Sequence, residues 1–125
     1  MTAFLDTHAA VFLWEGRVEV FGSNARKTLE HSALFISPMV RLELQFLKEV
    51  GKLKVEPDQI LGSLTSDLGV MMTSDPLDAL VPLAMSLSWT RDPFDRLLVA
   101  TALLHQAPFV TRDRCIHDNF PGAVW

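Results

Sequence analysis

Short apolar runs alternate with helical stretches along this chain, and most changeovers carry a turn or helix-start signal. Thr2 to Leu5 is a short β-prone run, and Asp6-Thr7-His8 follows at once as a polar turn ahead of the helical stretch Ala9 to Trp14. A connection from Glu15 to Gly22 leads to a short polar helix over Ala25 to His31. Ala33-Leu34-Phe35-Ile36 then reads as a buried strand ended by Ser37-Pro38. The next helix, Met39 to Val50, divides into two faces. Arg41, Gln45, Lys48 and Lys52 make a wet stripe, and Met39, Val40, Phe46, Leu47 and Val50 a dry one.

A basic connection from Gly51 to Pro57 precedes a modest helix over Asp58 to Leu68, weakened by Gly62. Gly69 to Met72 reads as a third strand whose two methionines belong in the core. Asp75-Pro76 starts a helix running to Leu87, which Pro82 bends or splits. Asp92, Pro93 and Asp95 read as N-cap, N1 and N3 of the most apolar helix, which continues to Leu104. Phe109-Val110-Thr111 is a fourth strand, Asn119 to Gly122 a turn, and Ala123-Val124-Trp125 a last edge strand. This alternation predicts a three-layer α/β/α fold around a mostly parallel central sheet, formed by a single domain over residues 1–125.

Composition narrows the class. Hydrophobic residues are 49% and charged residues 21% of the 125, a soluble globular balance. No apolar run approaches the ~20 residues that cross a bilayer. The start also lacks the basic region and apolar core of a signal peptide, so no membrane association and a cytoplasmic location are expected. Cys115 is alone, which excludes an internal disulfide and a multi-thiolate metal site. A net charge of −4 argues against passive nucleic-acid binding, because that rests on neutralising phosphates with Lys and Arg. A phosphate substrate would need local charge, and Arg91, Arg96, Arg112 and Arg114 bracket the acidic segments near the end of the chain. Solvated surface arginines are an equally good reading of each one singly.

The acids carry the chemistry. Three, four and seven residues beyond Asp95 stand Leu98, Val99 and Ala102, so its carboxylate lies on a face that should be buried. A buried carboxylate needs a compensating charge, from Arg91, Arg96 or a metal cation. Glu43 falls within the dry stripe of its helix and must be ion-paired in the core or face a polar cleft. Asp6 and Asp113 each follow the end of a strand, where they read as turn or cap residues or as functional acids at the edge where α/β sheets carry chemistry. Asp92 is explained by capping, since Asp75 and Asp78 repeat the same spacing in a plain helix start.

In a parallel sheet Asp6 and Asp113 share an edge that Asp92 and Glu43 can also reach. At ~5 Å and an effective dielectric of ~20, each carboxylate pair repels by about 3 kcal/mol, so the cluster calls for protons or cations. Oxygen ligands select hard ions such as Mg²⁺ or Mn²⁺ over zinc, and His8, His31, His105 and His117 show no paired ligand spacing. No phosphate-cradling glycine loop and no activated Ser or Cys is present. What survives is metal-assisted hydrolysis.

These segments together resemble a known family. Leu5-Asp6-Thr7-His8, Glu43 in a helix after a strand and Ser-Pro, the run Arg91-Asp92-Pro93-Phe94-Asp95-Arg96-Leu97-Leu98, and Val110-Thr111-Arg112-Asp113 are similar to the PIN-domain ribonucleases, specifically VapC-type toxins of toxin-antitoxin pairs. The resemblance implies a PIN fold, Mg²⁺- or Mn²⁺-dependent endonucleolytic RNA cleavage, inhibition by a VapB-like antitoxin, and frequent homodimers. Carried over by position, Asp6 and Asp95 are the main metal ligands, Glu43 holds the metal or the attacking water, and Asp113 completes the pocket directly or through water. Asp92 is secondary, and Arg91, Arg96, Arg112 and Thr111 are expected substrate contacts. Leu42-Glu43-Leu44 departs from a common Trp-Glu-Ile-like run, a change expected to touch packing or antitoxin choice. Two other classes remain: a partner-binding module on the same fold that has lost catalysis, and a metal-dependent phosphatase on a different α/β fold.

Overall fold

A computed structural model describes residues 1–125. Five strands, β1 (Thr2–Leu5), β2 (Ala33–Ile36), β3 (Met71–Met72), β4 (Phe109–Val110) and β5 (Ala123–Val124), form one sheet in the order β3-β2-β1-β4-β5. All four pairings are parallel. Seven helices connect them: α1 (Thr7–Trp14), α2 (Ser23–His31), α3 (Pro38–Glu49), α4 (Pro57–Leu68), α5 (Leu77–Met85), α6 (Pro93–Leu104) and α7 (Arg114–Asn119). The expected three-layer α/β/α architecture is what the chain adopts.

The chain steps from β1 outward to β2 and β3, then crosses back to β4 and on to β5. Right-handed crossovers therefore place the helices before and after β3 on opposite faces. Helix α1 packs on α3 and α4, and α5 packs on α6, while α3 and α6 meet each other through the Phe46 and Phe94 rings, their centroids 6.1 Å apart. The direction reverses between β1 and β4, and that reversal opens a crevice beyond their carboxyl ends. Central β1 is buried through Ala3, Phe4 and Leu5, while α6 contributes Leu98, Val99, Ala100 and Ala102 to the same core.

Several sequence expectations change. Met71 and Met72 are 58% and 42% exposed, not core, because β3 is a two-residue edge strand with helix cover missing over its side chains. On α3 the dry stripe is only partly dry: Phe46 and Val50 are about half exposed, as is Leu42. Asp75 does not start α5, whose N-cap is Pro76; its carboxylate instead accepts from His105 Nε2 at 2.9 Å. Pro82 lies inside α5 without splitting it. Helix α7 was not expected, since its six residues are too few to show an apolar repeat. Arg41 and Lys48 of α3 pair with Asp58 and Glu56 around the start of α4, so the wet stripe fastens one helix to the next.

Gly22 is needed for closeness. A Cβ there would stand 2.7 Å from the Trp125 carbonyl carbon and 2.9 Å from its oxygen. The Trp125 ring packs at 4.8 Å from Phe21 and 6.4 Å from Phe12, so it cannot simply slide away. Gly22→Ala is therefore expected to cost about 1–3 kcal/mol, the usual range for overpacking. Urea unfolding should show a lower midpoint at unchanged slope, and an unchanged midpoint would contradict this packing.

Candidate active site

Two of the acids stand where the chain changes from strand to helix, two at the start of α6 and one within α3. Asp6 ends β1 and caps α1, accepting from the Thr7 amide at 2.7 Å. Asp113 follows β4 and caps α7, accepting from the Ile116 amide at 3.0 Å. Asp92 caps α6, accepting from the Phe94 amide at 2.8 Å, and Asp95 stands in that helix's first turn. Glu43 reaches in from α3, a helix started by Ser37 and Pro38. Capping and convergence are thus properties of the same residues, and helix amides at these ends offset part of the negative charge.

Asp6, Glu43, Asp92, Asp95 and Asp113 line a cleft of about 360 Å³ together with His8, Ala9, Arg112 and Trp125. Five carboxylates face one guanidinium and one imidazole. A larger groove of about 590 Å³ lies between α3 and α4, but its Arg41 and Asp58 pair with each other, as do Glu56 and Lys48 nearby. Chemistry selects the smaller cleft.

Asp6 is the most enclosed acid. Its Oδ2 accepts from the Thr111 hydroxyl at 2.6 Å, and the Thr111 hydroxyl in turn accepts from the Asp113 amide at 3.1 Å. Burial raises the Asp6 carboxyl above its ordinary value, against the opposing pull of the Thr111 and Thr7 hydrogen bonds. Glu43 is raised chiefly by burial as well, with a Thr7 hydrogen bond acting the other way and Asp6 repelling. Asp95 is pushed up to about 7, first by burial and then by repulsion from Asp92, Asp6, Asp113 and Glu43. No cation of the chain relieves it. Neither Glu43 nor Asp95 forms a salt bridge, so the core ion pair considered for Glu43 is excluded.

The arginines separate. Arg112 lines the cleft, with its guanidinium 4.7 Å from the Phe12 ring centroid. Arg91 lies outside and donates to the Ser88 carbonyl at 2.6 Å. Arg96 turns away from Asp95 and donates to the carbonyls of Thr90 at 2.9 Å and Ala84 at 3.3 Å, tying α6 to the segment before it. Thr111 is fully buried behind Asp6, not on the cleft wall. Sequence reasoning assigned no role to Trp125 beyond a last edge strand or to Thr7 beyond a turn. Adjacency to Asp6 was the signal available for Thr7, and no local signal pointed to Trp125.

A hard dication fits this donor set by its chemistry: five carboxylates against one imidazole, an excess of negative charge, and no Lys or Cys in the cleft. No three of the side chains are already closed into a coordination shell. The acids share one cleft with their rotatable arms still apart.

The PIN domain family model matches residues 3–119. The chain is 28% identical to Ribonuclease VapC22 of Mycobacterium tuberculosis, over 99% of this chain and 98% of that protein. Its fold is shared with VapBC2 from Rickettsia felis, solved bound to a promoter DNA fragment, at TM-score 0.69 and 18% identity, covering 99% of this chain and 96% of that one. A toxin-antitoxin complex from Klebsiella pneumoniae matches at TM-score 0.69 and 20% identity, covering 98% and 96%. With a family model spanning nearly all of the domain, and an acidic cleft at the sheet's reversal point, this chain belongs to the PIN-domain family.

Proposed function

We propose that this protein is a Mg²⁺- or Mn²⁺-dependent endoribonuclease, the toxin of a VapBC-type pair, hydrolysing RNA phosphodiester bonds in the cytoplasm. The carrying observation is that carboxylates from four separate segments line one cleft with no Lys or Cys among them. The similarity to Ribonuclease VapC22 supports RNA as the substrate. Asp6, Glu43, Asp95 and Asp113 would hold the ion, with Asp92 secondary at the rim. Bound there, the ion supplies a water nucleophile at neutral pH and stabilises charge on the phosphodiester.

The chain's own groups do the rest. Thr111 holds Asp6 from behind through its hydroxyl. Arg112 stands where a backbone phosphate would meet it beside the acids, its guanidinium steadied on Phe12. Arg91 and Arg96 are less suited to that task, since their guanidinium groups already donate to carbonyls.

Partners follow from exposed apolar faces. Leu42, Phe46 and the C-cap Val50 recur every four residues along α3, and Leu77, Val81 and Met85 do so on α5. These stripes support a VapB-like antitoxin and a second copy of the chain as protein partners, in line with the toxin-antitoxin complexes among its structural relatives. No helix is long and apolar enough to cross a membrane. An inactive partner-binding module would keep those faces while having no need of the acids.

Asp6→Asn or Asp95→Asn should lower Mn²⁺-dependent cleavage of transfer or messenger RNA at least about 100-fold, the upper end of what loss of an outer-shell partner costs a metal site. Circular dichroism should show the fold intact. Full activity in either variant would remove the assignment.

Stability should depend on pH with a definite sign. Asp95 holds its proton to about pH 7 when folded but to only 3.8 ordinarily, so the folded state binds more protons across that window. The metal-free protein should therefore lose stability as pH rises from about 4 to about 7. Asp6 and Glu43, also raised, add in the same direction. Added Mn²⁺ should raise Tm more at pH 8 than at pH 5.5, because protons compete for the same oxygens. A Tm that climbs with pH without metal, or a Mn²⁺ shift larger at pH 5.5, would contradict the crowding of charge described above.

A further inference from the structure

Thr7 is fully buried, yet its two hydrogen-bond donors are both directed at acids of the cleft. Its backbone N–H donates to Asp6 Oδ1 at 2.7 Å, and its hydroxyl donates to Glu43 Oε1 at 2.5 Å. As the first residue of α1 it has no helical carbonyl one turn back, so its hydroxyl is free of the local bond that Thr makes inside helices. Glu43 has no salt bridge and no other protein donor. One residue thus joins the acid that follows β1 to the acid of α3, through a bond that spans 36 positions of the chain.

We propose that Thr7 is a positioning residue of the metal site, holding Glu43 by one carboxylate oxygen so that the other is presented to the cleft beside Asp6. The proposal rests on the nuclease reading above. A Glu side chain has several rotors, and a free one spreads over orientations that cannot ligate together with Asp6. The Thr7 hydroxyl removes that freedom. The same residue's amide fixes Asp6, so the separation of the two acids is set through a single rigid helix start. This is the part outer-shell donors play for ligating carboxylates in general.

The test compares Thr7→Val, which keeps shape and loses the hydroxyl, with Thr7→Ser, which keeps it. Calorimetric titration of the full chain with Mn²⁺ should give an affinity about 10-fold or more weaker for Thr7→Val, and within about threefold of the wild type for Thr7→Ser. On RNA, kcat should fall in Thr7→Val with KM unchanged. In a Glu43→Ala background, Thr7→Val should change Mn²⁺ affinity by less than about twofold, as expected when two residues act through one bond. Thr7→Ala carries the comparison should the valine variant not fold. Wild-type Mn²⁺ affinity in the variant lacking the hydroxyl, equal loss in Thr7→Ser, or undiminished loss in the Glu43→Ala background would each overturn the role of Thr7. A wild-type protein that takes up no Mn²⁺ would overturn the metal reading itself.

Discussion

Negative charge gathered in a partly dry cleft is the constraint on which the rest of this molecule turns. Five carboxylates line one hollow, and Asp95 alone is held at about 7 by burial and by its neighbours. A fold could avoid such crowding by pairing each acid with a Lys or Arg. Here Arg112 is the one arginine in the cleft and forms no salt bridge, while other cations are spent elsewhere: Arg96 on carbonyls, Arg41 on Asp58, Lys48 on Glu56. What opposes the repulsion inside the chain is hydrogen bonding from Thr7, Thr111 and helix amides. Such donors stabilise a carboxylate without cancelling its charge.

Topology puts the acids there. In the order β3-β2-β1-β4-β5 the chain reverses direction between β1 and β4, and the connections leaving these strands part to opposite faces. The acids that follow the two strands, Asp6 and Asp113, face each other across the opening. Helix α6 aims its first turn at the same place, and Arg96 pins that turn to the preceding segment through Thr90 and Ala84. The tie is structural, and it explains why an arginine next to Asp95 leaves that carboxylate unpaired.

Much of this was readable from residue order. Helix-start signals stood at Asp6 and Asp92, Asp113 stood just past a strand, and the inward direction of Glu43 and Asp95 followed from apolar neighbours at helical spacing. Short or edge elements were harder. Met71-Met72 looks like core because apolar runs do not declare whether both faces of a strand will be covered. Helix α7 has one buried residue, Ile116, and so no pattern to detect.

The alternation of strands and helices, the helix starts at Asp6 and Asp92, and the inward turn of Glu43 and Asp95 depend on neighbours within about seven residues, and so are written in residue order. Only the tertiary structure decided which charges meet. The Thr7 to Glu43 bond spans 36 positions and the Thr111 to Asp6 bond 105, and no local periodicity encodes contacts over such distances. The same holds for Arg112, which resembles Arg91 and Arg96 in sequence yet is the one among them placed on the cleft. Sheet order fixes these encounters, and sheet order is set by how the whole chain packs.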